Sequence, residues 1–271
     1  MERELTLLVD AIRKAGAKAG ELVRNGFEVQ TKPDRSPVTT VDLEVNHILH
    51  EMQRREFPLD GWLSEESPDD PIRLTRPRVW IVDPIDGTKA LVNRVPEFCI
   101  SAALVERGVP VVAAILNPST DDLFTAVRGG GLFLNGARVT SSPAHKIDPV
   151  IMVNAWELRS DRWSTLAETA QCRPIYSIAN ALALVAAGRI QATLTLEPEN
   201  EWDLAAGVLL IEESGGTVCD MDGKPFVFNQ PTPRFLGVIA VAATADRELR
   251  ATLQTHAEHA RSRSQPKPAS S

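Results

Sequence analysis

The sequence predicts an α+β protein, and three observations carry that reading. Two amphipathic helices open the chain, short apolar runs with tight turns follow, and strands then alternate with helices. In the first helix Leu5, Leu8, Ile12, Ala15, Ala19 and Leu22 recur at helical spacing, and Gly26 is its stop. A second helix follows "SPVTTVD", with Val45, Ile48, Leu49 and Met52 on one face. Next come Val79 to Val82, "CISAALVE", "VPVVAAILNP", "DLFTAV" and "GGGLFLNG", whose Asn135-Gly136 reads as a tight hairpin turn. Runs this close together imply antiparallel pairing, so the first half reads as helices packed on an antiparallel sheet.

The pattern changes near residue 150 to an α/β alternation. "VIMVNA", "IQATLTL" and "FLGVIAVA" read as strands. "DRWSTLAETA", "SIANALALVAAG", "WDLAAGVLLIEESGG" and "ADRELRATLQTHA" read as helices. The boundary falls in "SSPAHKIDP", residues 141–149, which gives an α+β domain over 1–145 and a smaller α/β domain over 146–257. The polar, proline-containing stretch 258–271 reads as a disordered tail.

At 271 residues, 43% hydrophobic and 24% charged, the composition is that of a globular protein with a large core. The net charge of −7 argues against nucleic-acid binding, yet anionic substrates are permitted if cations reverse the local sign. Cys99, Cys172 and Cys219 are odd in number and set among apolar residues, which suggests core thiols in a reducing compartment. No apolar run approaches a membrane span and no signal-peptide core precedes the first charges, so the expectation is a cytoplasmic protein.

The stretch "VWIVDPIDGTK", Val79 to Lys89, puts two carboxylates three residues apart at the mouth of an apolar strand. Ionised groups repel there and desolvation is costly. A turn, a buried ion pair or a shared cation each answers to that pattern. Glu65 and Glu66 in "WLSEES" and Asp203 in "NEWDLAAG" add further carboxylates, although an acid in a helix's first turn also suits the helix dipole. Oxygen ligands without nearby His or Cys suit a hard cation such as Mg²⁺. Gly87 allows close backbone approach, and a helix beginning at Thr88 would turn free N–H groups toward an anion. Carboxylates for metal beside a helix start for phosphate make a phosphoryl-transfer layout.

In that order and at those separations, "WLSEES", "WIVDPIDGTK" and "EWDLAAG" resemble the signature of the inositol monophosphatase superfamily of Mg²⁺-dependent, lithium-sensitive phosphomonoesterases. "KPDRSPVTTVD", "LFLNGARV" and "IEESGG" extend the likeness over about residues 5 to 255. The resemblance implies a layered α-β-α-β-α sandwich of the sugar-phosphatase type, a homodimer, a small phosphorylated metabolite as substrate and two to three Mg²⁺ per site. It implies that Glu65, Asp83, the Ile85 carbonyl, Asp86 and Asp203 hold metal, the last contributed by the second domain. Gly87 and Thr88 would bind phosphate. Thr88, paired with Asp42, would help deprotonate the attacking water, so that Asp42, Thr88 and Glu65 form the catalytic set. Thr39 also lies three residues before Asp42, an S/T-x-x-D/E helix start in which Asp42 is simply a cap.

Within the superfamily, "SPVT", "LSEE", "DGTK", "EWD" and "GKPFVFN" resemble the 3'(2'),5'-bisphosphate nucleotidase branch, which converts adenosine 3',5'-bisphosphate to AMP. The chain departs from that branch in having no lysine between Lys146 and Lys224, where the branch carries one in the helix read here as "SIANALALVAAG". Lys89 or Arg189 is the available substitute. Glu197 lies near the position of a substrate-contacting glutamate in inositol phosphatases. Inositol 1-phosphate and then histidinol phosphate are the alternative substrates. A different class of role, protein binding in transcription antitermination, is also represented in the superfamily.

Overall fold

The computed structural model describes residues 1–140, 150–154, 170–245, 249–253, 255 and 256. The chain opens with α1 (Glu2–Asn25), which buries Leu8, Ile12, Ala15 and Ala19 and ends at Gly26 with φ 99°. A small hairpin, β1 (Val29–Thr31) and β2 (Pro37–Thr39), leads into α2 (Thr40–Glu56). Then come β3 (Gly61–Ser64), a 3₁₀ turn over Pro71–Thr75, and β4 (Arg78–Asp86). The short α3 (Thr88–Val92) precedes the meander β5 (Cys99–Glu106), β6 (Val109–Asn117), β7 (Asp122–Val127), β8 (Gly131–Leu134) and β9 (Ala137–Arg138). The expected hairpin at Asn135-Gly136 is present. Both residues have positive φ, 49° and 79°, as a type I′ turn requires.

The second half contains β10 (Val150–Asn154), β11 (Gln171–Ile175), α4 (Ile178–Ala186) and β12 (Ala192–Asn200). It continues with α5 (Glu201–Glu213), β13 (Thr217–Cys219) and β14 (Arg234–Val241), and residues 249–253 are helical. The sequence did not announce β11 or β13, which are short and carry no alternation. The domain boundary at 141–149, most of the "DRWSTLAETA" helix and the tail at 258–271 lie outside the described residues.

Seven strands form one sheet in the order β3 to β9, and five form another in the order β11-β10-β12-β14-β13. The first sheet corrects the all-antiparallel expectation, because β3 runs parallel to β4. The long connection through the 3₁₀ turn gives the chain room to cross over, which parallel pairing needs. The second sheet is mixed: β10 is parallel to β11 and β12, and β14 is antiparallel to β12 and β13.

Three apolar clusters separate five layers. Leu8, Ile12, Val45 and Leu49 of α1 and α2 pack on Trp80, Val82, Ile100 and Leu104, one face of the large sheet. The opposite face, including Val79, Ile81 and Ala103, meets Leu182 of α4 and Leu204 to Ile211 of α5, whose other sides meet Val238 and Ala240 of the second sheet. Ile151, Leu194 and Ile239 then pack under Leu249 and Leu253. This is the α-β-α-β-α sandwich. Helix α5 is apolar all round because it lies between two sheets. Gly207 permits that closeness: a Cβ there would sit 2.5 Å from the Leu182 side chain. Among the described residues no helix is long and apolar enough to cross a membrane.

Candidate metal and phosphate site

The two aspartates of β4 point to the same place because the strand is bulged. Side chains three apart on a regular strand face opposite sides. Here Asp83 pairs with Ser101 and Asp86 with Cys99, so β4 spends one more residue than β5 between the two pairs. Parity flips across the bulge: Ile81 belongs to the cluster under α4 and α5, whereas Ile85 belongs to the one under α1 and α2. A proline in a central strand is tolerated at such a bulge, where Pro84 sits. The result places both carboxylates on the α4–α5 side.

Helix α5 brings the third carboxylate. Ligand atoms of Asp83, Asp86 and Asp203, all buried, lie within 4.8 Å of one another. Burial, then repulsion from Glu65 and the neighbouring aspartates, pushes Asp83 well above the usual carboxylate range; burial and then Asp86 do the same to Asp203. Burial also lifts Asp86 to about 6, against hydrogen bonds from Ser177 and the Ala179 amide. Asp83 Oδ1 is buried without a hydrogen-bond partner. A buried polar atom left unpaired is expensive, and three acids in contact cannot all ionise without a cation. The donor set is oxygen only, which suits Mg²⁺. The turn explains the backbone but not this convergence, and no cation side chain reaches the three aspartates among the described ion pairs.

Asp203, Asp86 and the nearby Asp42 are each also tied to a helix start. Asp203 Oδ2 accepts the Asn200 N–H at 2.7 Å in a capping box at the head of α5. Asp86 Oδ2 accepts the Ser177 hydroxyl and the Ala179 N–H, both at 2.6 Å, at the head of α4. Asp42 Oδ2 accepts the Thr39 N–H at 2.8 Å and the Thr39 hydroxyl at 2.5 Å in the capping box of α2. Its other oxygen, Oδ1, accepts the Thr88 hydroxyl at 2.9 Å. Asp42 therefore both closes the α2 cap and accepts the Thr88 hydroxyl. The starts of α4 and α5 thus turn their partial positive ends toward the aspartate trio, and the start of α2 toward Asp42.

The site opens into a cavity of about 190 Å³ lined by Glu65, Asp83, Ile85, Asp86, Gly87, Thr88, Lys89, Asn200, Trp202 and Asp203. Ser36, Pro37 and Tyr176 complete it. Gly87 has φ +93°, and a Cβ there would lie 2.9 Å from the Glu97 carbonyl oxygen, so glycine is required. The Ile85 carbonyl accepts from Thr88 Oγ1 at 3.0 Å. Lys89 is exposed at the rim. Glu65 lines the cavity outside the aspartate trio, and its Oε1 accepts Lys32 Nζ at 2.8 Å. Glu197 is not brought to the cavity: it is exposed on β12, where the register with β14 shifts between Thr195 and Pro198. Sequence reading missed Ser177, although a serine just before an apolar helical run is a cap signal. It also missed Lys32, Tyr176 and Trp202 as parts of this site.

The sequence model of the inositol monophosphatase family matches residues 1–263. Over 237 residues the chain is 34% identical to Nus factor SuhB of Salmonella typhimurium, covering 82% of this chain and 87% of that one. It is 34% identical over 226 residues to the inositol-1-monophosphatase of Bacillus subtilis, covering 80% and 85%. The crystal structure of an IMPase/NADP phosphatase complexed with Mg²⁺ and phosphate superposes with a TM-score of 0.81 at 25% identity, over 94% of this chain and 95% of that one.

Proposed function

The chain belongs to the inositol monophosphatase family and is a metal-dependent phosphoric monoester hydrolase with Mg²⁺ as its cofactor, and on that premise we propose that it hydrolyses a small inositol-type monophosphate. The observation that carries this reading is the buried trio Asp83, Asp86 and Asp203 beside the Asp42–Thr88 pair. The three aspartates, with Glu65 and the Ile85 carbonyl, are the groups that would hold the cation. When bound, Mg²⁺ supplies positive charge that neutralises phosphate oxygens and acidifies water. The side chains do the rest. Thr88 lines the cavity and donates its hydroxyl to Asp42, so a water can pass a proton to Thr88 Oγ1 as Thr88's own proton moves to Asp42 Oδ1. Burial raises the Asp42 carboxyl above its ordinary range, which favours that acceptance. The water oxygen forms its bond to phosphorus as the ester P–O bond breaks, the leaving alkoxide takes a proton from a solvent water, and Asp42 returns its proton to solvent. Gly87, lacking a Cβ, lets the phosphate approach the backbone.

Two observations favour a monophosphate over adenosine 3',5'-bisphosphate, the substrate that the sequence details put first. Among the described residues lining the cavity, Lys89 is the lone cationic side chain. Helix α4, where the nucleotidase branch carries its lysine, is IANALALVA. A second phosphate has little to hold it. The decisive assay measures phosphate release with Mg²⁺ from inositol 1-phosphate, adenosine 3',5'-bisphosphate, histidinol phosphate and fructose 1,6-bisphosphate. Inositol 1-phosphate should lead in kcat/KM by about tenfold, or about 1.4 kcal/mol, and excess chelator should abolish turnover. A lead by the bisphosphate, or turnover surviving chelation, refutes the reading. The likeness to a Nus factor favours a second reading, a protein-binding role. It requires that an Asp83→Asn chain, inactive as a phosphatase, still bind its partner. A homodimer is part of the proposal, and sedimentation velocity tests it.

A further inference from the structure

Asn200, Trp202 and Asp203 line the cavity, whereas Glu201, in their midst, does not. Glu201 is wholly buried, and a buried carboxylate is costly unless hydrogen bonds satisfy it. Its Oε2 accepts the Asn229 N–H and its Oε1 the Gln230 N–H, both at 2.7 Å. Asn229 has a left-handed φ of 61°, the kind of turn that aims successive amides at one anion. Across this dipeptide stands Arg73, 1% exposed, from the 3₁₀ turn of the first half. It donates to Asn229 Oδ1 at 2.7 Å and the Gln230 carbonyl at 3.0 Å, and Asp69 holds its Nε at 2.6 Å. Residues 229 and 230 are thus clamped between a guanidinium of the first half and the first residue of α5.

We propose that Glu201 is a positioning residue: by seating the first turn of α5 on the Asn229–Gln230 amides, it holds Asp203 against Asp83 and Asp86 at the separation a divalent cation needs. Asp83 and Asp86 lie in a central strand hydrogen-bonded along β5, so their places are fixed. Asp203 lies on a helix terminus, and mutual repulsion would drive that end outward. The clasp opposes it. An apolar residue here would leave both amides unpaired, so a loss of stability alone does not test the positioning role.

This inference rests on reading Asp203 as a metal-holding group, and calorimetric Mg²⁺ titration of the full chain separates the two. Glu201→Gln keeps the size but turns an amide N–H toward a backbone N–H, and Mg²⁺ should bind at least tenfold more weakly. Arg73→Met leaves both bonds to Glu201 in place, so it should lower the melting temperature with Mg²⁺ affinity within threefold of wild type. Affinity within twofold of wild type in Glu201→Gln, or an equal loss in both variants, overturns the assignment. If Glu201→Gln does not fold, hydrogen exchange on the unmodified chain decides. Saturating Mg²⁺ should slow the Asn229 and Gln230 amides at least threefold more than amides of β6, since coupling between sites is reciprocal; equal slowing overturns the proposal. Asp203→Asn is the control: if it keeps Mg²⁺ affinity, the reading of the site fails, whatever Glu201 does.

Discussion

Asp42 divides its two oxygens between two tasks. Oδ2 closes the capping box of α2 with Thr39, and Oδ1 takes the Thr88 hydroxyl. Substituting asparagine cannot preserve both, because the new amide N–H₂ must face either the Thr39 donor or the Thr88 oxygen. In either orientation the amide cannot take the Thr88 proton, so Asp42→Asn should lose about a hundredfold or more in turnover, with stability nearly kept while its oxygen stays on Thr39. Thr88→Ala in that background should cost little further rate, because paired groups act as one unit. Single-turnover kinetics and urea unfolding of the two single variants and the double variant check this; turnover within threefold of wild type for Asp42→Asn would refute the relay. The same economy governs Asp86 and Asp203, each bound to a helix start through Oδ2.

At the scale of elements, the β4 bulge and the α4–α5 contact decide the site. Helix α4 supports Asp86 and helix α5 carries Asp203, and the two meet at Gly207 against Leu182. A methyl at Gly207 overpacks that contact, so Gly207→Ala should cost about 1–3 kcal/mol. Adding Leu182→Ala should return part of the loss. A double-mutant cycle by denaturant unfolding measures this coupling, and strictly additive losses would show that the helices do not meet there. How legible these elements were follows from how local their causes are. Leu8, Ile12 and Ala15, the Asn135-Gly136 turn and the Thr39–Asp42 box announce themselves through spacing and turn chemistry. The bulge does not: Pro84 hints at it, but which face Asp86 takes depends on pairing with Cys99 in another strand. Parallel β3 and edge strand β11 were hidden for the same reason. Glu197 was misplaced because a register shift in β12, invisible in the sequence, turns it to solvent.

For the molecule as a whole, the cost of assembling this site appears as a pH dependence. Asp42, Asp83 and Asp203 are raised by burial, Asp86 is lifted to about 6, and Glu66 and Glu201 to about 7. A carboxyl raised in the folded state binds its proton more tightly there than in the unfolded chain. Its contribution is complete below the unfolded value and is lost as pH climbs through the folded one. Carboxylates lowered by partners, such as Asp34 and Asp69, act below about pH 4 and drop out of this window. His50, lowered by burial, opposes the trend as a single group. The metal-free chain should therefore lose melting temperature from about pH 4.5 to 7, and Mg²⁺ should raise it most at the upper end. Calorimetric scans with and without chelator test this, and a metal-free melting temperature that rises across the window would contradict it.

The carboxylates pinned to helix starts have one more consequence, for discrimination by ionic size. Ca²⁺ takes about six to eight oxygens at about 2.3–2.6 Å in a yielding shell, whereas Mg²⁺ demands a near-octahedral one at about 2.0–2.1 Å. Asp86 and Asp203 each have one oxygen committed to a backbone amide, so neither can swing to offer two oxygens to a larger ion without uncapping α4 or α5. If these aspartates hold the cation as proposed, the helices act as the walls of a gauge, and a larger ion would have to draw its extra oxygens from water or unseat a helix start.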